Sequence, residues 1–262
     1  MSAAATAPET ASGVIDWSVA AGDRLLVVRF PAAMQVVSWA IWNGGRRRVP
    51  AVAWVGVTNA ELPPEVDPRA LCQSRLRAAG LEAAVGLLTS GQLARYRRAS
   101  ASAEGVGAQA LATVGLSNAL RAGDPPGFTS AGPSEGPAPP AMGSARQSRA
   151  TPDANTPVGT INILCAVSVP LSEEAALEAL SIAVEARTAA VLEGRHPSRR
   201  SGALATGTGT DCVVLAWPEP VGTLVPAVFA GKHTALGHVI GRSVGDCVRA
   251  GVADWLEAYA CR

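Results

Sequence analysis

Between Gly123 and Pro157 the chain is built from proline, glycine, serine and alanine, with almost no large apolar residue. Such a stretch cannot bury enough surface to form a core, and we read it as a flexible linker over 123–157. Whatever folds must therefore be assembled from two halves, one on each side. Nearly half of the 262 residues are apolar (48%), enough for a sizeable core. We expect a small polar tail over 1–15 and one domain over 16–262, interrupted by the linker.

The first half reads as strands and then a helix. Arg24–Phe30, Gln35–Trp42 and Val49–Val57 are expected strands, the last two joined by the turn Asn43-Gly44-Gly45, an antiparallel hairpin signal. Pro68–Ala79 is an expected helix, with Asp67 as N-cap and Gly80 as its stop. Leu81–Leu88 is apolar and fits either class. A block of glycine and hydroxyl residues follows at Ala112–Ala119.

In the second half, Thr160–Val169 is β-branched and too short for a helix. Pro170 ends it. Ser172 can cap the next helix, with Glu173 and Glu174 in the first turn, where the helix dipole favours negative charge. Leu177, Leu180, Val184 and Val191 mark its expected buried face, and Gly194 its end. Thr210–Trp217 is the next strand. A last helix is expected from about Thr234 to Tyr259, with an apolar stripe of Leu236, Ile240, Val244, Cys247, Trp255 and Leu256. Gly237, Gly241 and Gly245 form one row on it. Each costs roughly 1 kcal/mol against alanine, so we expect another backbone to pass close along that ridge.

Several function classes are excluded or disfavoured. A net charge of +1 gives no support for a nucleic-acid partner, and Arg46-Arg47-Arg48 reads as a solvated turn. The start lacks the basic and apolar regions of a signal peptide, and no apolar run reaches the ~18 residues of a membrane helix. We expect a cytoplasmic protein with no membrane partner. Cys72, Cys165, Cys212, Cys247 and Cys261 make no Cys-x-x-Cys pair, so no zinc site is expected; Cys165, Cys212 and Cys247 sit in apolar patterns and read as reduced core thiols. His233 and His238 are five positions apart, not the four that aligns two ligands on a helix, so no metal is expected there. His196 sits in a charged loop and reads as exposed. His233, at the expected start of the last helix, would be held neutral by the helix terminus and able to accept a proton.

The chemistry is signalled by Ala205-Thr206-Gly207-Thr208-Gly209-Thr210-Asp211. It alternates glycine with hydroxyl residues, ends in a carboxylate and runs into an apolar strand. Glycine permits close backbone approach, and the threonines set hydroxyls beside it, as a polar-ligand site requires.

Taken in order, six blocks resemble the adenosylcobinamide amidohydrolase (CbiZ) family. They are Trp42-Asn43-Gly44-Gly45; Thr113–Ala119 with Arg121–Asp124; Val158–Ile163; Glu185–Ala190; Ala205–Asp211; and Ala230–Gly237. The likeness covers roughly residues 16–260. The family pattern carries lysine where this chain has Arg187, and glutamate where it has His238. The first change keeps the charge; the second means that a glutamate there is no required acid or base in this chain.

The resemblance implies hydrolysis of the amide joining aminopropanol to the corrin ring of adenosylcobinamide. The products would be adenosylcobyric acid and 1-amino-2-propanol, a corrinoid salvage step for coenzyme B12. It implies a small-molecule corrinoid partner and no protein cofactor, because the cobalt belongs to the substrate. The alternatives are a non-catalytic corrinoid-binding module, or an amidohydrolase of intact cobamides or another amide. The residues it points to as substrate-binding are Asn43, Gly44, Gly45, Thr113, Gly115, Asn118, Glu185, Thr206, Gly207, Thr208, Gly209, Thr210 and Lys232. Gly115, Gly207 and Gly209 would offer backbone N–H donors, and Asn118 and Asn162 amide donors, for an oxyanion.

The order of elements is also similar to the self-processing aminopeptidases and ornithine acetyltransferases. There the Ser or Thr that opens a strand becomes a new N-terminus and attacks the amide. That position is Thr160, after Gly159, and an N-terminal threonine would use its own amine as base. The competing reading is a water activated by His233 or Asp211. By the same analogy we expect a mixed α+β single domain, layered as an αββα sandwich, with N-terminal antiparallel hairpins and a long C-terminal helix.

Overall fold

The computed structural model describes residues 17–22, 24–63, 65–125 and 159–260. The expected tail, and the expected linker from residue 126 on, lie outside the described residues. In chain order the elements are β1 (Ser18–Ala21), β2 (Leu25–Ser38), β3 (Gly45–Gly56), α1 (Pro68–Ala78), β4 (Val85–Thr89), β5 (Arg97–Ala103), β6 (Val106–Val114) and β7 (Ala119–Leu120). After them come β8 (Ile161–Val167), α2 (Glu173–Glu193), β9 (Gly207–Thr208), β10 (Cys212–Trp217) and α3 (Ala235–Ala260).

One sheet runs in the order β4-β3-β2-β10-β8-β6-β5, with β1 added to β2; β7 and β9 form a separate two-stranded ribbon. β3 pairs with β4, and β8 with β10, in parallel; the other pairs are antiparallel. The sheet is folded over on itself, as its alternating side chains reveal. Leu26, Val28, Val52, Trp54, Val85 and Leu87 of the N-terminal strands meet Leu111, Leu164, Cys212 and Val214 of the others in one core. The alternate residues Val27, Ala51, Ala53 and Val55 face Cys72 and Leu76 of α1. On the far side, Ile161, Ile163, Cys165, Val213, Leu215 and Trp217 face α2 and α3. The layers are thus α1, sheet, sheet, α2 with α3: the expected αββα sandwich, from a single bent sheet.

The bend lies in β2. Both of its parts pair with β3 on one side; on the other, the first part pairs with β1 and the last with β10, and the register on β3 shifts between Arg29 and Met34. Two strands were expected here. Pro31 breaks the apolar run, but the irregularity absorbs its missing N–H and the strand continues.

The helix ends match their local signals. Asp67 accepts from Arg69 N at 3.0 Å, Gly80 has φ +67°, and Ser172 accepts from Ala175 N at 3.1 Å. The face of α2 differs. It buries Ala175, Ala176, Ala179, Ile182, Ala183, Ala190 and Val191, while Leu177 is 64% exposed. Small side chains let α2 approach the sheet and α3 closely, so alanine rather than leucine marks the inner stripe. The α3 stripe holds, with Leu236, Ile240, Val244 and Cys247 buried. Of its glycine row only Gly237 meets backbone, the Ala230 and Gly231 carbonyls. Gly241 and Gly245 meet ordinary side-chain neighbours at 3.8 and 3.9 Å. The β5–β6 hairpin, turning at Glu104 and Gly105 with positive φ, was not anticipated. No described helix is long and apolar enough to cross a membrane.

Candidate active site

The Gly/Thr loop is held from both ends. Its β9 pairs with β7, which ties it to the segment after β6, and Ala122 N donates to Thr206 Oγ1 at 2.8 Å. At its end, Asp211 is buried, its side chain 7% exposed. Oδ1 accepts from Ile161 N at 2.9 Å and from the Thr208 hydroxyl; Oδ2 accepts from Thr208 N at 2.9 Å and from the Arg187 guanidinium. A carboxylate has about four acceptor sites. Four donors fill them, so Asp211 pins the loop to β8 and has no site left for a water to be activated. A Cβ at Gly207 would run into both Arg187 and Asp211, which is why the loop needs glycine there.

Thr160 stands just before β8 and is 8% exposed. Its Oγ1 donates to Thr210 O at 3.0 Å, and its carbonyl accepts from Gly115 N at 3.0 Å. Gly159 lies flat against the next segment. A Cβ on it would sit 2.7 Å from Gly115 O and Ser117 N and 3.0 Å from Asn118 N. Among the described residues neither the Ser117 nor the Asn118 N–H meets a backbone carbonyl. Two backbone nitrogens thus lie against Gly159, next to Thr160. The Asn118 side chain is buried, with Nδ2 3.1 Å from where a Gly209 Cβ would be.

The adjoining Gly115–Ser117 segment helps to line a cavity of about 780 Å³, but Gly159, Thr160, Asn118 and Asp211 are not in its wall. Its walls are the segments after β3 (Val57–Asn59), β4 (Ser90–Gln92), β6 (Gly115–Ser117) and α2 (His196–Arg199), and the last turns of α3. Thr113 also lines it, and its buried hydroxyl has no partner among the described residues. His196 was expected in solvent. Instead it is half-buried in the wall, its ring edge-on to Trp255 with centroids 5.0 Å apart and planes at 74°. Burial holds its imidazole pKa below the usual histidine value. Sequence reasoning missed His196, Trp255 and Ser198, whose hydroxyl bonds Asp124 at 2.5 Å. Only the length of α2 decides where that charged loop lands, and no local motif encodes it.

Other expected site residues lie elsewhere. His233 is exposed and precedes Thr234, whose Oγ1 caps α3 by accepting from Gly237 N at 2.9 Å. The site lies by the opposite end of α3, where Gly251 packs on Val114 next to Ile161. Ala235 and Gly251 are about 24 Å apart along the helix. The one hydrogen bond of the Thr160 hydroxyl goes to Thr210 O and not to His233. Lys232 and Glu185 form an exposed ion pair on the outer face of α2 and α3, also away from it. Asn162 is 2% exposed and donates to Leu88 O at 2.7 Å, bracing β8 against β4 rather than facing the cavity. Asn43, at φ +52°, donates to Glu82 O and Ala84 O at 2.9 Å and builds the turn with Gly44 and Gly45. That turn flanks Trp39, whose Nε1 donates to Asp211 O at 2.6 Å.

Cys72, Cys165, Cys212 and Cys247 are buried free thiols whose pKa burial pushes up to about 12, so none supplies a thiolate. Among the described residues no three His, Cys, Asp or Glu side chains converge on a metal site.

A family model described as adenosylcobinamide amidohydrolase matches residues 13–260. No curated protein matches the chain. Among solved structures, the chain is similar to the PH0078 protein from Pyrococcus horikoshii OT3, with 10% identity and TM-score 0.41, over 87% of this chain and 76% of that one. It is similar to the L-aminopeptidase D-Ala-esterase/amidase from Ochrobactrum anthropi, with 12% identity and TM-score 0.37, over 90% and 82%. A β-aminopeptidase from Burkholderia sp. shares 13% identity and TM-score 0.42, over 91% and 82%.

Proposed function

The chain belongs to the adenosylcobinamide amidohydrolase family, and on that premise we propose that it hydrolyses the aminopropanol amide of adenosylcobinamide, with Thr160 as nucleophile. The observation that carries this reading is the Gly159–Thr160 junction: a buried hydroxyl at the head of β8, with the Ser117 and Asn118 backbone nitrogens packed against the preceding glycine and Ser117 also lining the cavity.

The reaction runs in two steps. Thr160 Oγ attacks the amide carbon and gives up its proton, and the C–O bond forms. The carbonyl oxygen becomes an oxyanion, and the two N–H groups and the Asn118 carboxamide are its donors; one such donor is worth about 3–4 kcal/mol. The C–N bond then breaks, its electron pair stays on nitrogen, and the nitrogen takes a proton and leaves as 1-amino-2-propanol. Water hydrolyses the remaining ester, releasing adenosylcobyric acid and restoring the hydroxyl. The proton acceptor is the α-amine of Thr160 freed by hydrolysis of the Gly159–Thr160 bond, and this amine then passes the proton to the leaving nitrogen. The cobalt enters as part of the substrate.

The filled acceptor sites of Asp211 count against the activated-water alternative at that carboxylate. The test is incubation of the full chain with adenosylcobinamide, with both products quantified. Wild type is expected to form them, and Thr160→Ala to lose on the order of 10³-fold or more in kcat with its melting curve unchanged. Full activity of Thr160→Ala overturns the nucleophile. Binding without turnover in wild type makes the chain a corrinoid-binding module instead. Mass spectrometry reads the cleavage question directly, as one chain or two.

A further inference from the structure

Trp39 directly follows β2 and is 49% exposed. An indole has one polar atom, and here it is used: Nε1 donates to Asp211 O at 2.6 Å. Thr160 Oγ1 donates to the preceding carbonyl, Thr210 O, at 3.0 Å. The indole and the threonine hydroxyl are therefore tied to consecutive peptide units of one short segment, itself fixed by Asp211. Across the sheet the order is β2, β10, β8, β6. The ends of these strands carry, in turn, Trp39, Asp211, Thr160 and the cavity wall from Gly115 to Ser117. Along this edge Thr160 thus lies between the cavity-lining segment Gly115–Ser117 and an oriented, exposed aromatic face. Tying down a large apolar ring while half of it meets water forgoes the gain from burial. A ligand that covers the ring recovers it.

We propose that Trp39 is the platform on which the flat, conjugated macrocycle of the substrate rests, so that the acyl side of the amide is held over Thr160. This rests on the corrinoid reading above. A conjugated ring system stacks on indole through dispersion and quadrupole terms that a small amine cannot use. Trp39 is a positioning residue: it contributes affinity for the macrocycle and takes no proton.

The experiment compares wild type, Trp39→Phe and Trp39→Ala in the full chain. Equilibrium dialysis measures affinity for adenosylcobyric acid, which carries the macrocycle. Competition measures affinity for 1-amino-2-propanol and for adenosine, which lack it. Trp39→Ala is expected to weaken adenosylcobyric acid about tenfold and to raise KM similarly, with kcat within about twofold and the two small ligands unchanged. Trp39→Phe, which keeps a ring but loses the bond to Asp211, is expected to retain most of the affinity. Unchanged acid affinity in Trp39→Ala overturns the proposal. So does a Phe variant as weak as the Ala variant, since the indole would then act only through Asp211. Selective loss of adenosine moves the contact to the adenosyl group and also overturns it. Wild type that neither binds nor turns over any corrinoid refutes the underlying reading, and the platform with it.

Discussion

Replacing Asp211 with asparagine asks whether that carboxylate is part of the scaffold or of the chemistry. Its side chain is 7% exposed, and the guanidinium of Arg187 beside it is 12% exposed. Asparagine keeps the shape, and one oxygen can still accept from Ile161 N. The amide nitrogen, however, then confronts donors, Thr208 N and Arg187, and the buried guanidinium loses its counter-charge. Breaking a buried ion pair by removing one partner costs about 3–5 kcal/mol. For a domain of this size that is a fall in Tm of roughly 10 °C. Chemical denaturation with circular dichroism measures it. The double variant Asp211→Asn with Arg187→Met should recover part of the loss, because no unpaired charge remains; the cycle gives the coupling directly. Two results would refute the reasoning. One is stability within about 0.5 kcal/mol of wild type, well below the expected loss. The other is an Asp211→Asn variant of unchanged stability that has lost its turnover, which would make the carboxylate a chemical participant.

Two further outcomes are expected. Gly159→Ala drives a methyl into the backbone of Gly115, Ser117 and Asn118; it should cost about 1–3 kcal/mol and, by displacing the oxyanion donors, about 10²-fold in kcat, and an alanine variant with full activity would be incompatible with that role. His196 has a folded pKa below its unfolded value because it is buried, so its contribution to stability is complete above about pH 6.5 and is lost as pH falls through the folded pKa. Melting temperatures of wild type and His196→Gln from pH 8 to 5 should converge toward acid, and parallel curves would sink the assignment.

What could be read from the residues was whatever short range decides. Asp67, Gly80 and Ser172 act within one turn of helix, and their roles followed from position alone. The β-branched runs of β8 and β10 are buried on both faces and look it. β5 alternates arginine, alanine and serine, with too little size contrast to announce a strand. The inner face of α2 is alanine, which hydrophobic size does not pick out. The places of Thr160 and of the Asp211 loop in the fold were legible because they abut a strand. The helix-terminus argument for His233 is local, whereas which end of the sandwich that terminus occupies is set by topology. His196 was overlooked for the converse reason: a polar loop acquires a role only once five segments close around it.

The strand order also dictates a history for the molecule. β10 and β8 lie between β2 and β6, so the centre of the sheet is made of segments that are synthesised late. Until they emerge, β4-β3-β2 and β6-β5 are two fragments with unpaired edges facing a gap. Closing that gap requires contacts between residues far apart in sequence, such as Ser38 with Val214 and Val114 with Ile161. Chains of that kind fold slowly and expose sticky edges while they wait. The same two strands carry Thr160 and Asp211 at their leading ends, so the proposed nucleophile and the keystone of the sheet are completed in one event. A truncated or stalled chain would have neither.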